Sequence, residues 1–217
     1  MIAYASRTGT KRNLDALRAA GWRLLVSARG VLRNEGFGYA LDNGAWTAFQ
    51  RDEPFDVAAF EKALKQLGAG ADWIVLPDIV MGGLPSLELS LSWLRRVRRR
   101  KALREATFLI AVQNGMEDPK VMRRIARWLG PKCGVFVGGD TDWKLATMPI
   151  WARLAHSRGA ICHVGRVNTA RRIRICEAAG VDSFDGTSAS RFAITLRPLE
   201  LARQQIDLEG YLARKAA

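Results

Sequence analysis

Eight short apolar runs, most of them separated by segments with helical spacing, constrain this chain more than any other feature. The runs fall at residues 2–5, 23–27, 39–42, 73–78, 107–113, 134–138, 160–164 and 182–185. Between them, apolar residues recur with helical period over 11–20, 54–68, 85–104, 118–129, 143–157 and 168–179, and again over about 196–206. Thr10, Pro54, Pro119 and Asn168 supply helix starts, and Gly21, Gly68, Gly130, Gly159 and Gly180 supply stops. Strands alternating with crossover helices read as a parallel α/β architecture. Eight is the number that closes a (β/α)8 barrel, and 217 residues lies at the small end of its range. The stretch from Ser27 to Tyr39 is too short and too Gly-rich for a full helix. The expectation is therefore a single TIM-like barrel domain over 1–217, with one helix reduced or missing. The rival is an open doubly wound sheet. Against it, Ser6-Arg7-Thr8-Gly9-Thr10 after the first run holds one glycine and no dinucleotide fingerprint.

Composition narrows the class. Close to half of the residues are apolar and no polar low-complexity tract occurs, which argues against disorder. The N-terminus shows no signal-peptide pattern, and no apolar stretch approaches the roughly 20 residues that span a bilayer. A cytoplasmic location without membrane contact is expected. Cys133, Cys162 and Cys176 are odd in number and widely spaced, which suits reduced, buried thiols. Neither they nor His156 and His163 form a zinc ligand set, so no metal is expected. The net charge of +13 is concentrated in Arg95-Arg96-Val97-Arg98-Arg99-Arg100-Lys101, in Arg123-Arg124 with Arg127, and in Arg171-Arg172 with Arg174. Such an excess favours a polyanionic partner, because phosphate contacts release counterions. The alternative is a set of solvated helix faces with arginines offsetting helix dipoles.

Four of the apolar runs end on a polar group: Asp42, Asp78, Gln113 and Asp185. In a parallel barrel the C-terminal strand ends share one rim, where catalytic groups collect. Gly138-Gly139 and His163-Val164-Gly165 also lie at such ends. Asp185 has the character of a carboxylate nucleophile and Asp42 that of a general acid/base, the pair that glycosidic displacement uses. Each also has a plain reading as a loop or turn cap. Asp78 and Gln113 suit a purine edge, since a carboxylate accepts and a carboxamide both donates and accepts. The Gly138-Gly139 backbone lets a flat ligand approach and offers N–H donors. Trp46, beside Asp42, is placed to stack on a base. His163 reads as a satisfied core histidine. Ser6, Arg7 and Lys11 are a phosphate-site candidate near a helix start.

The segment Phe184-Asp185-Gly186-Thr187-Ser188-Ala189-Ser190-Arg191, taken with Asp42-Asn43-Gly44-Ala45-Trp46, Asp78, Gln113 and Gly138-Gly139, resembles the queuine and archaeosine tRNA-guanine transglycosylases. It is most similar to the shorter DNA-guanine transglycosylases that place 7-deazaguanines in phage and genomic-island DNA. The likeness spans about residues 39–191. It implies Asp185 as covalent nucleophile, Asp42 as acid/base, and Asp78, Gln113, Gly138 and Gly139 as base-binding residues. Arg191 matches a backbone-contacting arginine, and Arg166, Arg95, Arg96, Arg98 and Arg99 are further nucleic-acid contacts on this reading. The tRNA enzymes carry a cysteine-rich zinc subdomain whose ligands have no counterpart here. Gly186, Ala189 and Ser190 replace their cysteine, proline and threonine, and Asn114 separates Gln113 from Gly115.

The implied reaction exchanges guanine in DNA for a free 7-deazaguanine base, in the 7-cyano form, without metal or redox cofactor. The implied setting is a bacterial cytosol, phage-encoded or not, with a homodimer or an accessory protein left open. A tRNA substrate, an N-glycoside hydrolase and a non-catalytic nucleic-acid binder stand as alternatives.

Overall fold

The computed structural model describes residues 1–191 and 193–205. Eight parallel strands close into a barrel in chain order: β1 (Ile2–Ser6), β2 (Arg23–Ser27), β3 (Tyr39–Asp42), β4 (Ile74–Val75), β5 (Phe108–Val112), β6 (Cys133–Val137), β7 (Cys162–Val164) and β8 (Ser183–Gly186). Pairing of β1 with β8, which sets Tyr4 opposite Asp185, completes the ring and excludes the open sheet. The longer helices are α1 (Lys11–Ala19), α3 (Val57–Leu67), α4 (Gly83–Val97), α5 (Pro119–Ala126), α6 (Thr141–His156), α7 (Ala170–Ala178) and α9 (Ala193–Gln204). Residue 206, the far end of the last expected helix, lies outside the described residues.

No helix connects β2 to β3. The gap leaves a groove of about 500 Å³ bordered by Arg29, Arg33, Asp56 and Lys62. Two short helices were not visible as periodicity: α2 (Ala45–Gln50) and α8 (Ser188–Arg191). Each is too brief to display a repeat. β4 is much shorter than the apolar run 73–78, because Pro77 has no N–H with which to extend the ladder. α3 begins after Asp56, whose side chain caps Ala59, rather than at Pro54. α7 is capped by Thr169, not Asn168. Asn168 Oδ1 instead accepts from the Thr187 and Ser188 amides at 2.8 and 3.0 Å, tying the segment after β7 to the start of α8.

Strand periodicity divides the core in two. Outward-facing residues pack under the helices, whereas Tyr4, Ala40, Trp73, Val75, Leu109 and Ala111, with Leu25, Phe136 and Ile161, fill the barrel interior. Edge-on aromatic contacts knit this plug, with Tyr4 and Trp73 centroids 5.1 Å apart. Gly134 on β6 makes room for it. A Cβ there would lie 2.8 Å from both Ile161 Cγ1 and Leu109 Cδ2 and would also strike the Ile161 carbonyl. Gly134→Ala is therefore expected to destabilise the protein by about 1–3 kcal/mol, as overpacked cores do. Denaturant unfolding measures this, and an unchanged midpoint would mean that the sheet yields at no cost.

Candidate functional site

The mouth of the barrel is built by strand alternation. On β3, Ala40 faces the interior, so Asp42 two residues later faces the same way. On β5, Leu109 and Ala111 face inward and Gln113 follows them. On β8, Ser183 reaches His163 and Asp185 continues on the same face. Asp42 and Gln113 thus end inward-facing rows that are otherwise apolar, whereas Asp185 follows the polar Ser183.

Asp185 is only 5% exposed, too deep to be a surface cap. Its Oδ1 lies 3.0 Å from His163 Nε2, and its Oδ2 accepts from the Arg166 amide at 3.2 Å. A carboxylate only accepts, so His163 Nε2 carries the proton and Nδ1 accepts from the Ser183 hydroxyl at 2.8 Å. His163 is fully buried, with its ring 4.3 Å from Trp73 and 5.1 Å from Phe136. Burial pushes its pKa down, against the pull of Asp185, which keeps the imidazole neutral. The sequence reading of a satisfied core histidine holds, and the partner that satisfies it is Asp185. Having no exposed edge, His163 positions Asp185 and does not itself meet a ligand.

Asp42 sits in a different environment. Burial first, then repulsion from Asp185 and Asp78, raises its pKa from 3.8 to about 6. The Gly44 amide, donating to Oδ2 at 3.1 Å, and the nearby Ser27 hydroxyl oppose the shift. The chain bends away at once, because Gly44 takes φ +83° before α2.

Asp78 and Gln113 form one network. Asp78 Oδ1 accepts from Asn43 Nδ2 at 2.7 Å, and Oδ2 accepts from Gln113 Nε2 at 2.9 Å. Gln113 Nε2 also donates to the Ile79 carbonyl and lies 3.2 Å from Ser86 Oγ, whereas its Oε1 is buried without a partner. Burial raises the Asp78 pKa, and the two amide donors oppose it.

The other expected residues divide by rim. Gly139, with φ +68°, could not carry a side chain, since a Cβ would lie 2.6 Å from Trp143. Gly138 donates its N–H to the Val112 carbonyl, so the expected pair of backbone donors reduces to Gly139 at most. Arg166 also holds φ +60°. Its guanidinium donates to the Gly139 carbonyl at 2.6 Å and lies 4.2 Å above the Trp46 ring. One face of Trp46, the residue expected to stack on a base, is thus covered by Arg166. Arg191 follows β8 on the same rim, its amide donating to Thr187 O.

The run Arg95, Arg96, Arg98 and Arg99 ends α4 and leads to the start of β5, at the opposite end of the barrel. There Arg96 pairs with Glu61, while Arg95 and Arg98 lie over Trp128. Of the phosphate-site candidates, Arg7 pairs with Glu35 and Lys11 with Asp15. Sequence reading passed over Asn43 and Ser86, which bind the Asp78–Gln113 pair, and Lys144, which lies buried behind Gly165. Asn43 looked like a turn residue beside Gly44. Lys144 had a readable signal, since it falls on the buried stripe of α6 with Met148 and Trp151.

No protein-family model and no curated protein sequence matches this chain. Among the described residues, no helix is long and apolar enough to cross a membrane, and no cluster of three or more His, Cys, Asp or Glu could hold a metal ion.

The Asp42 pKa fixes a sign for stability. A carboxyl group whose folded pKa exceeds its unfolded one contributes stability below about pH 4, and that contribution is lost as pH rises through about 6. Asp42→Asn should therefore be more stable than the parent at pH 8 by about 1–3 kcal/mol, with the gap closing towards pH 4. Thermal melts across pH measure it. A variant that is less stable at pH 8 would show that the carboxylate is not held at a cost.

Proposed function

We propose that the protein exchanges guanine in DNA for a 7-deazaguanine base of the 7-cyano type through a covalent aspartyl-glycosyl intermediate. One observation carries this reading: two carboxylates, Asp185 and Asp42, stand on one rim in contrasting environments. Asp185 receives N–H donors from His163 and Arg166, whereas Asp42 has its pKa raised to about 6. Carboxylates separated in this way divide nucleophilic from acid/base work.

In the first step an Asp185 oxygen attacks C1′ of the nucleotide while the bond from C1′ to the base nitrogen breaks. Asp42, part-protonated near neutrality, gives its proton to the leaving guanine. In the second step Asp42 takes a proton from the incoming base, whose nitrogen attacks C1′ and expels Asp185. Two inversions give net retention, and no electrons are gained or lost. Asp78, already braced by Asn43 and Gln113, keeps further lone pairs for the N1–H and amino group of a guanine edge. Gln113, whose Oε1 is buried, acts through Nε2 by bracing Asp78.

The nucleotide must leave its stack to reach Asp185, so the covering Arg166 has to give up Trp46 or share it with the base. Arg166 and Arg191 stand at the mouth, and the groove with Arg33 and Lys62 lies beside it, since Ala28 donates its amide to the Asp42 carbonyl. These cations suit a phosphate backbone.

The test is incorporation of radiolabelled guanine and of 7-cyano-7-deazaguanine into duplex DNA and into tRNA. Incorporation into DNA, reduced by more than about 10³-fold in Asp185→Asn, is the expected result. Equal incorporation into tRNA would move the substrate to RNA. Guanine release without incorporation would make the protein a hydrolase, and neither release nor incorporation would contradict the proposal.

A further inference from the structure

A lysine on the helix face that packs against a barrel needs a reason, because burying an ammonium is costly without strong partners. The buried stripe of α6 reads Lys144, Thr147, Met148, Trp151, Ala152 and Ala155, with Lys144 only 5% exposed. Its Nζ donates to the Gly165 carbonyl.

Gly165 is hemmed in from the other side. Its amide donates to Val137 O at 3.1 Å, and a Cβ would lie 2.6 Å from the Phe136 ring. The next residue, Arg166, then takes φ +60°, a conformation unfavourable for a long side chain. Only with that turn held does the Arg166 amide face Asp185 Oδ2. Val167 secures the far side by donating to the Asp185 carbonyl oxygen at 2.6 Å.

We propose that Lys144 is a positioning residue for the reacting carboxylate: it anchors the Gly165 carbonyl and so holds the strained Arg166 peptide, whose N–H orients Asp185. The inference rests on Asp185 being the nucleophile of the proposed exchange. Burial lowers the Lys144 pKa to about 8; Arg166 and Arg172 also oppose its charge, Asp185 favours it, and Asp140 and His163 sense it.

Two variants and two readouts test this. Lys144→Met removes cation and donor, and Lys144→Arg keeps both. Lys144→Met should lower kcat for base exchange by roughly 10²-fold, the scale of a small misplacement of a reacting group, with the KM for the free base unchanged. Amide hydrogen exchange at Arg166 should become about tenfold or more faster in Lys144→Met, reporting local opening. Lys144→Arg should restore both quantities. A folded Lys144→Met with parental kcat and parental Arg166 protection would overturn the proposal. If the parent shows no base exchange, the transglycosylase reading has failed, and hydrogen exchange at Arg166 decides the brace alone. If Lys144→Met does not fold, loss of Arg166 protection in a folded Lys144→Gln supports the brace, and full protection there overturns it.

Discussion

The mouth of this barrel depends on how a carboxylate is seated on an aromatic plug. Asp185 sits above Tyr4, Trp73 and Phe136, surroundings hostile to an anion, and one neutral imidazole makes the seat tolerable. His163 works because both its nitrogens are used, one towards Asp185 and the other towards Ser183. A buried polar chain of this kind is rigid when every member is satisfied and costly when one is removed. The remaining features of the site follow from that seat. Asp42 feels the charge of Asp185, the Arg166 peptide is drawn to its second oxygen, and Lys144 steadies that peptide from behind.

Much of this was legible in the sequence, for reasons tied to particular residues. Alternation placed Asp42 two positions after Ala40 and Asp185 two after Ser183, so an inward-facing row ending in a carboxylate could be read without a structure. The absent helix between Ser27 and Tyr39 was likewise written in chain length and glycine content. Contacts across the mouth were not legible. That Asn43 braces Asp78, or that Arg166 reaches back to Gly139 and over Trp46, depends on which strand ends face each other, and local pattern does not carry this.

The basic run illustrates a different blindness. A count of arginines gives the sign of a field but not the end of the molecule it occupies. In a parallel barrel a helix runs back from the catalytic rim, so its C-terminal residues lie at the other end. Arg95, Arg96, Arg98 and Arg99 lie at and just past the end of α4, where Arg96 meets Glu61 and Trp93 and both Arg95 and Arg98 lie over Trp128. The cations beside the site are fewer and come from connections that follow strands and from the short α8: Arg33, Arg166 and Arg191. An account of nucleic-acid binding at the mouth therefore leans on these residues.

The central claim is that Asp185 forms a bond to the sugar. Its most direct test is to mix the protein with a guanine-containing DNA duplex, without any incoming base, quench in acid, and locate any adduct by peptide mass spectrometry. The account predicts a strand linked through its deoxyribose C1′ to the peptide carrying Asp185, which disappears when 7-cyano-7-deazaguanine is added before the quench. Base exchange that proceeds without an adduct, or an adduct on another residue, would contradict it.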